Sequence, residues 1–168
     1  MKTKIASLFV LAFALAVSAV AQDQKMPSPP AKAEGTIDGI KVTIDYHQPS
    51  ARGRKVMGGL VPFGEVWRTG ANATTTIELS GPAKIEGKEL AAGKYGLYTI
   101  PGEGEWTLII NKGIKWGAYD YKQAEDVLRV TAKSGKTASF VETFNIAVEG
   151  NNIVLKWENT SVAFKVSK

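Results

Sequence analysis

From Ile40 to Tyr46 the chain alternates strictly. Ile40, Val42, Ile44 and Tyr46 are apolar or aromatic, and Lys41, Thr43 and Asp45 between them are polar. In extended backbone, successive side chains point to opposite faces, so this pattern places four apolar groups on one side and the polar groups on the other. A helix would scatter them around its circumference. Asp38-Gly39, directly before this run, suits a two-residue hairpin and pairs the strand with Lys32 to Ile37.

The same signature recurs along the chain. Further strands are expected at Thr74 to Leu79, Ala83 to Ile85, Tyr95 to Ile100, Trp106 to Asn111 and Val127 to Ala132. Three more are expected at Phe140 to Val148, Ile153 to Trp157 and Val162 to Val166. Turn residues separate them at Glu86-Gly87-Lys88, Pro101-Gly102-Glu103-Gly104, Ser134-Gly135 and Gly150-Asn151-Asn152. Only Lys122 to Asp126 has a helical character, and it is too short to stand alone. About ten short strands at this spacing predict an all-β, antiparallel β-sandwich, with a jelly-roll as its variant and a closed barrel as its rival.

The first residues are organised differently. Lys2 and Lys4 precede an apolar run from Ile5 to Val17, and Ala19-Val20-Ala21 supplies small residues for cleavage. This is the pattern of a secretory signal peptide covering residues 1–21. Its uncharged stretch, Ile5 to Ala21, is 17 residues long, at the lower limit for a membrane span. Gln22 to Lys32 carries three prolines and reads as a flexible lead-in. Residues 33–168 are then one domain, exported to a periplasmic or extracellular space, with no membrane span after cleavage.

Removing 21 residues from 168 leaves 147, enough to bury a core without disulfides or a structural metal. The chain has no cysteine, which removes thiol catalysis, thiolate zinc sites and iron–sulfur ligation. The net charge of +5 falls to +3 without Lys2 and Lys4, with 19 Lys and Arg against 16 Asp and Glu. These charges are interleaved, and nucleic-acid binding would need a basic stripe.

One stretch breaks the period of two: Gly58 to Asn72, GGLVPFGEVWRTGAN. With Gly53-Arg54 before it, and with Ile85-Glu86-Gly87-Lys88, Ala92-Gly93-Lys94-Tyr95, Ile100-Pro101-Gly102, Trp106-Thr107 and Trp116-Gly117 after it, it closely resembles a family of exported bacterial proteins known as a domain of unknown function. The resemblance runs from about Val42 to the C-terminus and implies a single-domain β protein. It carries over no substrate, cofactor or catalytic residue. It also implies a small polar residue and an Arg before Pro49, where this chain has His47-Gln48.

Within the stretch, Leu60, Val61, Phe63, Val66 and Trp67 read as anchors of a crossing loop, and Gly70 as a positive-φ turn residue. Arg68 offers a planar fork for carboxylate, phosphate or sugar hydroxyls, and Asn72 an amide on a bend. Arg52, Arg54 and Lys55 are expected to join Arg68 in a positive pocket, with Glu65 and His47 nearby; solvated loop charge is the plain alternative. The ligand-binding candidates are therefore Arg68, Asn72, Arg54, Glu65 and His47. The expected ligand is a small sugar-like or anionic molecule, or a glycan. The alternatives are a structural or interaction protein of the envelope, in which Arg68 bonds loop carbonyls or Glu65, and a small hydrolase or lyase. In the enzyme reading His47 or Glu65 would move protons.

Other chemistries find little support. Asp45, His47 and Ser50 lie too close on extended backbone for a nucleophile triad, and no Gly-x-Ser-x-Gly elbow exists. Gly53 to Gly59 lacks the Gly-Lys-Ser/Thr ending of a phosphate loop. His47 is the single histidine, so no transition-metal ligand spacing appears; calcium on loop carbonyls with Asp120 or Asp126 stays open. No cofactor is implied, and the oligomeric state is left open. Trp116, Tyr119 and Tyr121 fall in one short segment that reads either as a carbohydrate platform or as core, whereas Trp106 and Trp157 sit on strands and read as core.

Overall fold

The computed structural model describes residues 27–168. The expected signal segment 1–21 and residues 22–26 of the lead-in lie outside the described residues. Nine strands follow in order: β1 Pro30–Ile37, β2 Ile40–His47, β3 Thr76–Leu79, β4 Ala83–Ile85, β5 Lys88–Leu90, β6 Gly93–Ile100, β7 Glu105–Asn111, β8 Asp126–Glu149 and β9 Asn152–Ser167. A single 3-10 turn at Gln123–Glu125 stands where helical character was expected. Every strand pair is antiparallel, and the strand order is β1-β2-β3-β6-β7-β8-β9-β4-β5.

The β1–β2 hairpin forms as the alternation requires. Ile37 pairs with Ile40 across Asp38-Gly39, and the register continues to Pro30 opposite His47. Both turn residues have positive φ, 50° and 82°, as a type I′ turn demands. Strand structure begins at Pro30, so the last residues of the expected lead-in, Pro30 to Lys32, belong to the sheet.

The main correction concerns strand length. Val127 to Ala132 and Phe140 to Val148 are parts of one 24-residue strand, and Ile153 to Trp157 and Val162 to Val166 parts of one 16-residue strand. Ser134-Gly135 is therefore no turn. Up to Lys133, β8 pairs with β7; from Ser134 onward it pairs with β9. The β8–β9 register also slips twice, between Lys136 and Val141 and between Val141 and Asn145. Such bulges bend a strand and raise its twist without ending it, so turn-like residues inside β8 are accommodated. A short strand at Lys88–Leu90 replaces what read as the end of a turn.

β8 thus carries the sheet from one half to the other, and both halves share one core. Ile44, Ile77, Leu97 and Leu108 come from the first half; Phe144, Leu155, Trp157 and Phe164 come from the second. Each such side chain contributes about 1.5–3 kcal/mol when taken fully out of water. β1 and β5, at the two ends of the order, each have one strand partner, so the sheet is open rather than a closed barrel, and its architecture is compatible with a sandwich. Tyr46 ties the halves together: its hydroxyl accepts from Ile146 N at 3.0 Å and its ring meets Phe144 edge-on at 5.8 Å.

Candidate functional site

The Val66 to Asn72 segment joins β6 at Trp67. Trp67 N donates to Thr99 O at 2.7 Å and Thr99 N returns a bond to Trp67 O at 2.9 Å. Trp67 is therefore a strand residue in all but length, and its side chain enters the core. Its ring meets Phe144 at 4.9 Å and Trp106 at 6.2 Å edge-on, and stacks on Trp157 at 5.9 Å. Its indole N–H donates to Gly70 O at 3.1 Å, so the buried ring leaves no polar atom unpaired.

Thr69 is fully buried and has φ +57°, an uncommon conformation for a β-branched residue. Three hydroxyl contacts hold it there. Its hydroxyl donates to Trp67 O at 3.3 Å and lies in hydrogen-bond contact with Thr99 Oγ1 at 3.1 Å, and Thr75 Oγ1 donates to Thr69 O at 2.7 Å. Asn72 also has positive φ, +56°. Gly70, expected to make the positive-φ turn, does not; a Cβ there would sit 3.0 Å from His47 O. Its role is close approach, which lets the motif lie against the end of β2, where Ala71 N donates to His47 O.

The polar residues left over face outward. Arg68 is half-buried, and its Nε is shielded from solvent with no acceptor. It forms no salt bridge with Glu65 among the described residues. Its aliphatic part lies by Gly117, where a Cβ would be 4.0 Å from both Arg68 Cδ and the Tyr119 ring. Asn72 is exposed and donates to Ser28 O at 3.3 Å.

His47 lines a cleft of about 280 Å³ with Asp45, Thr74, Thr76, Lys94 and Ile114 among its walls. Asp45 is bridged there by Lys32 at 3.2 Å and Lys94 at 3.6 Å. Thr74 connects cleft and motif: its side chain lines the cleft and its hydroxyl donates to Gly117 O, the residue beside Arg68. Thr74 and Ile114 were not singled out by sequence reasoning; only their position three residues beyond Ala71 and two before Trp116 could have drawn attention to them.

Arg54 and Glu65 do not join this cluster. Arg54 folds back, donating to Ala51 O and Ser50 O at 3.0 Å each, and Arg52 Nη2 donates to Pro27 O. Ser50 Oγ meets Thr143 Oγ1 at 2.9 Å, while Asp45 is held by lysines, so Asp45, His47 and Ser50 form no relay. Asp126, considered for calcium, accepts from Asn111, Tyr121 and Arg129. Among the described residues no group of three or more His, Asp or Glu could hold a metal ion.

The aromatic segment splits. Tyr121 turns inward, 5.1 Å from the Tyr98 ring, while Trp116 and Tyr119 are exposed. Burial pushes the Tyr98 and Tyr121 hydroxyls above the ordinary value of 10.0; nearby carboxylates add to the effect on Tyr98, and the bond to Asp126 adds to that on Tyr121. The bond to Asp126 raises Arg129 as well.

No helix among the described residues is long and apolar enough to cross a membrane. No curated protein and no solved structure matches the chain. The family model described as a protein of unknown function (DUF2911) matches residues 28–166, nearly everything the structure describes, and the chain belongs to that family.

Proposed function

We propose that this chain is an exported binding protein that takes a small anionic or sugar-like ligand at the cleft between His47 and the loop around Gly117. One observation carries the reading: Arg68, outside the cleft lining itself, holds a shielded Nε without an acceptor beside Gly117, whose carbonyl accepts from the cleft residue Thr74. A shielded guanidinium N–H left unpaired costs about 1–3 kcal/mol or more. A ligand carboxylate, phosphate or hydroxyl that recruits the guanidinium supplies the missing acceptor. His47 and Thr74 add polar contacts, and Ile114 an apolar wall. The leading signal pattern supports delivery outside the cytoplasm.

The motif's two halves divide the work in this reading. Trp67 and Thr69 hold the crossing; Arg68 and Asn72 meet the ligand. Arg54, folded back onto Ser50 and Ala51, has no part in it.

The test uses residues 22–168, which contain every described strand. Thermal unfolding is followed with a panel of sugar acids, neutral sugars, nucleotides and small organic acids. A ligand at 100 times its Kd adds about 2.7 kcal/mol to stability, a shift of several degrees for a domain of this size. Wild type should show such a shift with at least one anionic or polyhydroxylated compound. Arg68→Ala should lose it and Asn72→Gly, which keeps the positive φ, should weaken it. Equal shifts in all three proteins, or none across the panel, would falsify the assignment.

A further inference from the structure

The loop joining β7 to β8 leaves three large apolar side chains exposed. Ile114 is 47% exposed, Trp116 71% and Tyr119 97%. The chain's other three tryptophans, Trp67, Trp106 and Trp157, are all buried. An exposed Trp and Tyr within four residues of each other is therefore exceptional for this molecule.

This loop is not loose chain that lacks a place to pack. Its inward positions are Gly113 and Gly117, both buried. Gly113 N donates to Asn111 Oδ1 at 2.7 Å, and Gly117 O accepts from Thr74. Lys112 N donates to Glu125 O and Asn111 Nδ2 to Lys122 O, each at 3.0 Å. Backbone and small residues fasten the loop from beneath, and the large apolar groups are presented on top.

Lysines surround them. Lys112, Lys115 and Lys122 are exposed and oppose the single acid Asp120, a net +2 over residues 112–122. We propose that this face docks on the surface of an anionic phospholipid bilayer. Trp and Tyr favour the boundary between headgroups and acyl chains, which suits Trp116 and Tyr119. Each lysine near an anionic surface strengthens binding about fivefold. With no membrane-crossing helix among the described residues, the contact is peripheral. A second copy docking through the same loop would bring like charges together, so charge complementarity favours lipid. The inference does not depend on the cleft binding a ligand.

Trp116 is also the reporter, because the other indoles are buried. Residues 22–168 are mixed with phosphatidylglycerol–phosphatidylcholine vesicles or with pure phosphatidylcholine vesicles. On the anionic vesicles the emission should shift to the blue and be quenched by brominated lipid, less so at high salt. Lys112→Gln with Lys115→Gln should weaken binding about twenty-five-fold. Trp116→Ala, followed by co-sedimentation, should bind at least tenfold more weakly. Circular dichroism confirms that these surface variants stay folded. Absence of a shift and of quenching on anionic vesicles overturns the proposal. So does unchanged binding by the double lysine variant, or self-association that shields Trp116 without lipid.

Discussion

Trp67 and Trp116 each lie between named strands, and each has a basic neighbour, Arg68 after one and Lys115 before the other. Trp67 is 9% exposed and meets three aromatic rings; Trp116 is 71% exposed. Hydrophobicity cannot account for the difference, since the side chain is the same. Backbone pairing can. Trp67 is locked to Thr99 by bonds in both directions, and strand geometry then fixes which face its side chain takes. Trp116 has no strand partner, and the inward positions on either side of it belong to glycine.

The sharpest way to break this comparison is Trp67→Ala. Loss of a buried indole, with the cavity it leaves, costs about 3–5 kcal/mol, and its three ring contacts add about 0.5–1.5 kcal/mol each where geometry is good. Urea unfolding should show a loss at the upper end of that range or an unfolded protein. Trp67→Phe should recover part of it. A loss below about 1 kcal/mol, the typical effect of any substitution, would mean that Trp67 is not the anchor of the crossing.

How much of this was legible in the sequence follows from the range of each interaction. The β1–β2 register was legible because alternation and the Asp38-Gly39 turn are local. The long strands β8 and β9 were read as four pieces, since a bulge and a turn use the same residues and only a partner strand distinguishes them. Gly70 looked like a turn residue; its actual constraint, the approach to His47 O, is set by a strand more than twenty positions earlier. The same holds at the candidate site. Arg68 remains a polar group whose Nε has no partner inside the fold, while Asn72 donates only to Ser28 O. Arg54 bonds to the carbonyls of Ser50 and Ala51, a local choice that residue type does not reveal.

Tyr98 tests the connection between the two regions. It is fully buried on β6, its hydroxyl meets Thr74 Oγ1 at 3.2 Å, and its ring meets Tyr121 at the base of the outward loop. Tyr98→Phe should cost about 1 kcal/mol near neutral pH through the lost hydrogen bond. Its second effect depends on pH. The folded state holds the Tyr98 and Tyr121 protons more tightly than the unfolded chain, because burial disfavours phenolate. That stabilisation is fully present below the unfolded value near 10 and is lost as pH rises through the higher folded values. Wild-type stability should therefore fall above pH 10, and Tyr98→Phe should flatten the decline. An identical alkaline slope in both proteins would remove Tyr98 as a source of it.

The smallest expected effect is the one that most sharpens the comparison. Trp116→Ala should change unfolding free energy by no more than about 0.5 kcal/mol, as for a surface position that supports nothing beneath it. Loss of 1 kcal/mol or more in urea unfolding would mean that the indole packs on the loop after all. The small value, set beside the Trp67 result, would show that one residue type is spent on stability in one segment and withheld from it in another. An indole kept in water where a polar residue would fold as well is what the proposed contact with a lipid surface would use. Stability and vesicle binding measured on the same Trp116→Ala protein therefore separate the two roles: the first should stay, and the second should go.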